Sequence, residues 1–273
     1  MNVYKTNEVR NVVFLGHGSA GKTTLTEAVG LLTKVIDRMG NVSQGSTLSD
    51  FDKEEQKRGF SLSASLLQTE WNGIKINVID TPGYFDFVGE AEEGLSAADA
   101  AVIVVSGKSG VEPGTKKAWE LCEKMQKPRM IFVTEMDLPD ANYFKVLEEL
   151  KMAFGRAIAP IAVPVREDGK LIGYVNAVKN VARRYTDVGM REDRPAIPDS
   201  VKDIVSKTRG ALMEAVAETS EELMERYFNG EEFTDTEILE ALKENVAVDF
   251  LSSVHLFYDL KMQKVIFYFS HWN

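Results

Sequence analysis

The chain holds one cysteine, Cys122, and three histidines among its 273 residues. A single cysteine forms no intrachain disulfide, so the fold must rest on its core, and a reducing compartment such as the cytoplasm is the simplest setting. His17, His255 and His271 are scattered without ligand spacing, which argues against a zinc site. No apolar run nears the ~20 residues of a membrane helix; "AAVIVV" is the length of one buried strand. The opening "MNVYKTNEVR" lacks the apolar centre of a signal peptide. Basic residues are in deficit: 32 Lys and Arg face 42 Asp and Glu, a net charge of −10. That balance excludes broad, non-specific binding to nucleic acid or to an anionic membrane, though not contact with RNA through one loop.

What is present is ordinary globular composition, 44% hydrophobic and 27% charged, enough to bury a core. Its length suits one large α/β domain or a domain with a substantial insertion. "RNVVFLG" reads as a buried strand and "GKTTLTEAVGLL" as the helix after it. Residues 34–60 are charged and weakly periodic, which predicts a mobile loop. "SLSASLLQTEW", Asn72-Gly73 and "IKINVID" predict a hairpin on the strength of the Asn-Gly turn. Helices are expected over "FVGEAEEGLSAA", "PGTKKAWELCEKMQ" and "ANYFKVLEELKMAFG", and strands over "DAAVIVV" and "RMIFV". This alternation predicts a three-layer α/β sandwich with a mostly parallel sheet and one antiparallel edge strand. After Pro160 the pattern changes to a second hairpin, "AVPV" and "LIGYVNAV" around "REDGK", followed by acidic helical segments up to residue 247.

"GHGSAGKT", Gly16 to Thr23, matches G-x-x-x-x-G-K-[ST] between a strand and a helix. In such a loop the backbone N–H groups of Gly16, His17, Gly18, Ser19, Ala20 and Gly21 curl toward phosphate oxygens, and the helix N-terminus at Lys22, Thr23 and Thr24 adds a favourable dipole. Lys22 reaches the terminal phosphates and the Thr23 hydroxyl ligates Mg²⁺. Asp80, at a strand end one strand pair downstream, fits a metal-side carboxylate. Gly83 can bring a backbone N–H close to the last phosphate without strain. Tyr84 follows, either as the side chain that orients the attacking water or as an aromatic packed beside Phe85 and Phe87.

Together, "GHGSAGKTT", "SDFDKEEQKRGFSLSAS" and "DTPGYFDFVGE" resemble the GTPase domain of translational elongation factor G, and within that family the elongation-factor-G-like paralogues with tyrosine after "DTPG". The likeness runs from about Val12 to Ala247. It implies a GTPase core over 1–162 and an inserted α/β subdomain over 163–247, the counterpart of the one that meets the acidic ribosomal stalk. Residues 248–273, rich in aromatics, are either the final strand and helix of the core or an unrelated tail. The family's later domains, which carry translocation, lie beyond this chain.

The resemblance implies GTP/GDP and Mg²⁺ as ligands, the ribosome as partner, and a cytoplasmic factor that hydrolyses GTP. It places Ser61, in "RGFSL", where the family has the threonine that senses Mg²⁺ and the last phosphate. It places Tyr84 where the family has a water-orienting histidine; a phenol is neutral near pH 7 and lends no positive charge to the transition state. Slow hydrolysis that rises on the ribosome is therefore expected. The guanine-reading N-K-x-D becomes "TEMD". Asp137 keeps the carboxylate that pairs with N1–H and N2–H₂ of guanine, Thr134 replaces the bracing asparagine, and Glu135 replaces the lysine on the purine face. A guanine preference with reduced affinity is the expectation. From a different class, a nucleotide-dependent ribosome-binding module without useful turnover is the alternative, favoured by Tyr84, Ser61 and Glu135.

Overall fold

The computed structural model describes residues 3–155, 158–185, 191–194, 196–247 and 252–256. β1 (Val9–Gly16) runs through the centre of the molecule with Val12, Val13, Phe14 and Leu15 essentially inaccessible to solvent. Two parallel neighbours flank it, β3 (Ile74–Asp80) and β4 (Ala100–Ser106), and β5 (Arg129–Thr134) continues the sheet beyond β4. With β2 (Ser65–Trp71), β6 (Ile158–Pro160) and β11 (Ser252–Leu256) the order is β2-β3-β1-β4-β5-β11-β6. Only β2 is antiparallel, on the edge, joined to β3 by Asn72 and Gly73, both at positive φ as a type I′ turn requires. β4 is buried along its whole length, the signature of a parallel strand covered on both faces.

The faces follow from strand alternation. α1 (Lys22–Leu32) brings Gly30 against Leu67, which pairs with Val78. α3 (Val88–Ala97) brings Gly94 against Ile79 and Val13, the opposite face. α4 (Pro113–Lys124) packs on β1 and β4, and α5 (Tyr143–Phe154) follows β5. Residues 34–60, expected to be loop, hold a short 3₁₀ turn at Val42–Gln44 and the helix α2 (Lys53–Arg58). α2 is closed by a reciprocal capping box between Asp52 and Glu55.

The second sheet is antiparallel, in the order β10-β9-β8-β7, and follows the α/β insertion expected from the sequence. β7 (Ala162–Glu167) and β8 (Lys170–Asn176) meet at another type I′ turn, Asp168-Gly169; β9 (Val181–Tyr185) and β10 (Arg191–Arg194) extend the sheet. Val163, Val165 and Val175 pack against Val201 and Val205, while Ala177 and Val178 pack with Leu212, Val216 and Ile238. These partners come from α6 (Lys202–Ala217), α8 (Asp235–Ala247) and the turn leading into α6; α7 (Glu221–Phe228) comes between the two helices in chain order and packs against α6. The chain then rejoins the large sheet through β11, parallel to both β5 and β6; the helix expected after it falls outside the described residues. Among the described residues no helix is long and apolar enough to cross a membrane.

Parallel order puts the carboxyl ends of β1, β3, β4 and β5 on one edge. Phe14 pairs with Asp80, Gly16 with Val104 and Ser106 with Thr134. Ligands of open parallel sheets bind outside such an edge.

Candidate functional site

Between β1 and α1 the backbone turns through positive φ at Gly16 (141°), Ser19 (64°) and Gly21 (91°). Alternation of left- and right-handed residues makes a nest of inward N–H groups that attracts an anion. α1 begins at Lys22 with no side chain capping its first turn, so its leading N–H groups are available to a ligand. Lys22 is itself buried, and its Nζ donates to the loop's own carbonyls at Gly16 (3.0 Å) and His17 (2.7 Å). Burial pulls its pKa down to about 8, against the partial support of Asp80 and Glu112. An ammonium held this way gains from an incoming phosphate.

Below it lies Asp80, 1% exposed, with neither carboxylate oxygen hydrogen-bonded. Burial drives its pKa up to about 6; Thr23 and Ser49 approach and ease the shift without completing a hydrogen bond, and the Lys22 charge also opposes it. An unpartnered buried carboxylate is costly unless something else binds it. The Thr23 hydroxyl stands 3.2 Å from that of Ser61, and Ser61 donates to Asp50 at 2.7 Å. Two hydroxyls and two carboxylates form an all-oxygen donor set suited to a hard cation, so Asp80, Thr23 and Ser61 fit Mg²⁺.

Gly83 closes over this corner. A Cβ there would strike Lys22 Nζ and stand 2.6 Å from both the Gly18 nitrogen and the His17 carbonyl oxygen. Only glycine permits that approach. The next ring, Tyr84, covers Gly18 so closely that a Cβ on Gly18 would lie 2.9 Å from Cζ, and it packs against Phe60 with centroids 4.7 Å apart. Tyr84 remains 38% exposed, a packed aromatic that still faces the site.

Carboxylates from three helices tie down the 34–64 segment. Glu27 of α1, buried, accepts the N–H groups of Gly40 (2.6 Å) and Leu48. Glu55 of α2 accepts those of Leu62 (2.9 Å) and Ser63 (3.1 Å). Glu90 of α3 accepts that of Ala64 (2.6 Å). Ser61 is thus delivered to Thr23 by side chains on the helices around it.

At the other end of the site, the Thr134 hydroxyl donates to Ala20 O at 2.7 Å, with Val105 O also near at 3.1 Å. It braces the phosphate loop against β4. Glu135 follows at φ 57° and accepts the Ser106 hydroxyl, whose oxygen in turn receives the N–H groups of Lys108 and Ser109. Arg166, reaching across from β7, donates to the carbonyls of Met136 and Leu138, the residues on either side of Asp137.

A cavity of about 190 Å³ brings together Gly18, Ser19, Gly21, Lys22, Thr23, Thr24, Ser61, Gly83, Tyr84 and Thr134. That is below the ~300 Å³ of a pocket enclosing a whole small molecule and matches the phosphate end of one. Of the other expected residues, Gly16 and Ala20 form the loop's base, Asp80 lies beneath, and His17 turns away. Its Nδ1 accepts Gly114 N–H at 3.2 Å and its Nε2 lies 3.6 Å from Glu112. Asp137 does not line this cavity. Glu135, expected where the family has the lysine on the purine face, does, as do Asp50, Phe60 and Val42, none of which sequence reasoning named as site residues. The 11-residue step from Asp50 to Ser61 carries no spacing rule. Phe60 could have been found as the bulky neighbour of Ser61.

The family model for the elongation factor Tu GTP binding domain matches residues 7–266. A protein from Thermus thermophilus, known from a crystal structure, superposes with a TM-score of 0.87 at 34% sequence identity, over 94% of this chain and 38% of that one. The chain therefore spans little more than a third of that relative's length.

Proposed function

The chain belongs to the elongation factor Tu GTP-binding domain family, and on that premise we propose that it is the Mg²⁺-dependent GTP/GDP switch of a cytoplasmic translation factor of the elongation factor G class, hydrolysing GTP slowly alone and faster on the ribosome. The observation that carries the reading is the convergence of buried Lys22, unpartnered Asp80 and the Thr23–Ser61 pair beneath Gly83. Loop amides and Lys22 would hold the β- and γ-phosphates; Thr23, Ser61 and Asp80 would hold the cation. Mg²⁺, when bound, would supply neutralisation of the charge that develops on the phosphates. The Gly83 N–H marks the γ-phosphate. Asp137 selects guanine, while Thr134 braces the phosphate loop beside it.

On this reading Tyr84, which lines the cavity, would orient the attacking water. Its hydroxyl can donate or accept one hydrogen bond but lends no positive charge, which is the physical reason for slow turnover. Residues 1–162 form the nucleotide-binding core, which the chain rejoins at β11, and 163–247 are the inserted unit, read as the one that meets the ribosomal stalk.

The test is multiple-turnover phosphate release from GTP with and without ribosomes. A rise of roughly tenfold or more on ribosomes is expected, since orienting groups for general catalysis contribute on the order of 10²-fold. Equal rates would overturn the ribosome coupling. The Tyr84 ring over Gly18, a phenol in place of an imidazole, favours one second reading, a ribosome-binding module that holds nucleotide without turnover. Retention of GTP with no phosphate release in either condition would establish it.

A further inference from the structure

We infer that Arg166, a residue of the inserted sheet, positions Asp137 for guanine recognition, so that the insertion sets the base affinity of the site. The inference rests on the nucleotide reading above. β7 and β8 pair in regular antiparallel register until Val165/Arg166, where the register shifts. A bulge of this kind re-aims a side chain. Arg166 leaves the small sheet and crosses to the loop after β5, where one guanidinium nitrogen, Nη2, serves Met136 O and, at 3.4 Å, Leu138 O. Its other terminal nitrogen is anchored at home, donating to Gly169 O at 3.3 Å in the β7–β8 turn.

The two carbonyls belong to the residues on either side of Asp137, in the peptide units Met136–Asp137 and Leu138–Pro139, so the backbone before and after the base-reading carboxylate is held by one planar cation. The Met136 side chain, 1% exposed, pins the same stretch from below. β7 is fixed against the large domain at its opposite end too, where the buried Tyr143 hydroxyl of α5 donates to Ala162 O at 2.8 Å. The strand carrying Arg166 is therefore clamped at one end and reaches the base loop at the other. A carboxylate that must meet two guanine donors at once loses that geometry with small rotations. Arg166 does not line the phosphate cavity and acts through the loop backbone, as a positioning residue.

The experiment titrates the full chain, with Mg²⁺, against mant-GDP, mant-IDP and mant-ADP, in wild type, Arg166→Ala and Arg166→Lys. Hypoxanthine lacks the 2-amino group and makes only one of the two bonds to a carboxylate, so IDP reports phosphate and single-bond binding. Arg166→Ala is expected to weaken mant-GDP roughly tenfold, the usual effect of losing a charged hydrogen-bond donor, and to narrow the GDP-to-IDP preference at least threefold. Arg166→Lys should recover part of both. Should Arg166→Ala fail to fold, Arg166→Gln, uncharged but still a donor, is read the same way. An unchanged GDP-to-IDP ratio in the variants, or an equal loss for GDP and IDP, overturns the positioning role. Wild type binding mant-GDP, mant-IDP and mant-ADP equally would instead sink the guanine reading itself.

Discussion

The two ends of the nucleotide site are built on different plans. The phosphate end is local: Gly16 to Thr24 are consecutive, and one strand-loop-helix turn supplies the nest, the lysine and the first metal hydroxyl. The base end is assembled from a distance. Thr134 leans on Ala20, Glu135 on Ser106, and the loop around Asp137 on Arg166 from the second sheet. Phosphates are recognised by backbone geometry, which a short segment can hold alone; a base is recognised by one side chain whose aim depends on whatever supports it.

If that contrast is right, the largest single effect should come from Lys22. Replacing it by Ala removes the buried cation proposed to meet the phosphates, and loss of one member of a buried charge pair costs about 3 kcal/mol or more, roughly 100-fold in affinity. The loss should fall equally on GDP, IDP and ADP. Equilibrium titration of the three nucleotides checks it; a loss confined to GDP would erase the distinction between the two ends.

The next effect separates function from stability at the metal corner. Asp80 has its pKa raised to about 6 by burial, opposed by Thr23, Lys22 and Ser49. A carboxylate raised in the folded state carries no penalty below about pH 4, where it is protonated folded and unfolded, and the penalty grows until the pH passes about 6. Asp80→Asn should therefore stabilise the nucleotide-free protein in EDTA by on the order of 1–3 kcal/mol at pH 7.5, with the gain fading toward pH 4. The same variant should need at least tenfold more Mg²⁺ to retain GDP, the scale of losing one ligand-side carboxylate. Thermal melts across pH, beside Mg²⁺ titrations, are the measurement. A variant less stable than wild type at pH 7.5 would mean Asp80 is held by the fold rather than kept for a cation.

How much of this was legible follows the same division. Strand alternation, the Asn72-Gly73 turn and the Gly16–Thr23 spacing are all contiguous patterns, and each appears in the structure as the sequence suggests. α2 was hidden within a weakly periodic stretch because a six-residue helix offers too few turns for a period. Its Asp52 and Glu55 were nevertheless a capping-box signal. β9 and β10, "VARRY" and "REDR", lack the apolar alternation of a half-buried strand. The pins from Glu27, Glu55 and Glu90, and the reach of Arg166, join residues that are distant in sequence or meet through backbone groups. Neither leaves a trace in residue type or spacing.

Thr134 tests the contrast most finely, because it is where the two ends touch. Its hydroxyl carries one hydrogen, shared between Ala20 O in the phosphate loop and Val105 O in β4. Its methyl and Cβ fill the space beside Gly21. Thr134→Val keeps the shape and removes the bond, leaving a buried carbonyl short of one donor at a cost of about 1–2 kcal/mol. Part of that cost is borne by the free protein, so the loss of nucleotide affinity should be only about three- to tenfold. Because the bond braces the phosphate loop from the base side, the loss should appear for GDP, IDP and ADP alike, unlike that of Arg166→Ala. A Thr134→Val variant that changes only the GDP-to-IDP preference would place Thr134 with the base loop alone, and the phosphate end would then stand without support from its neighbour.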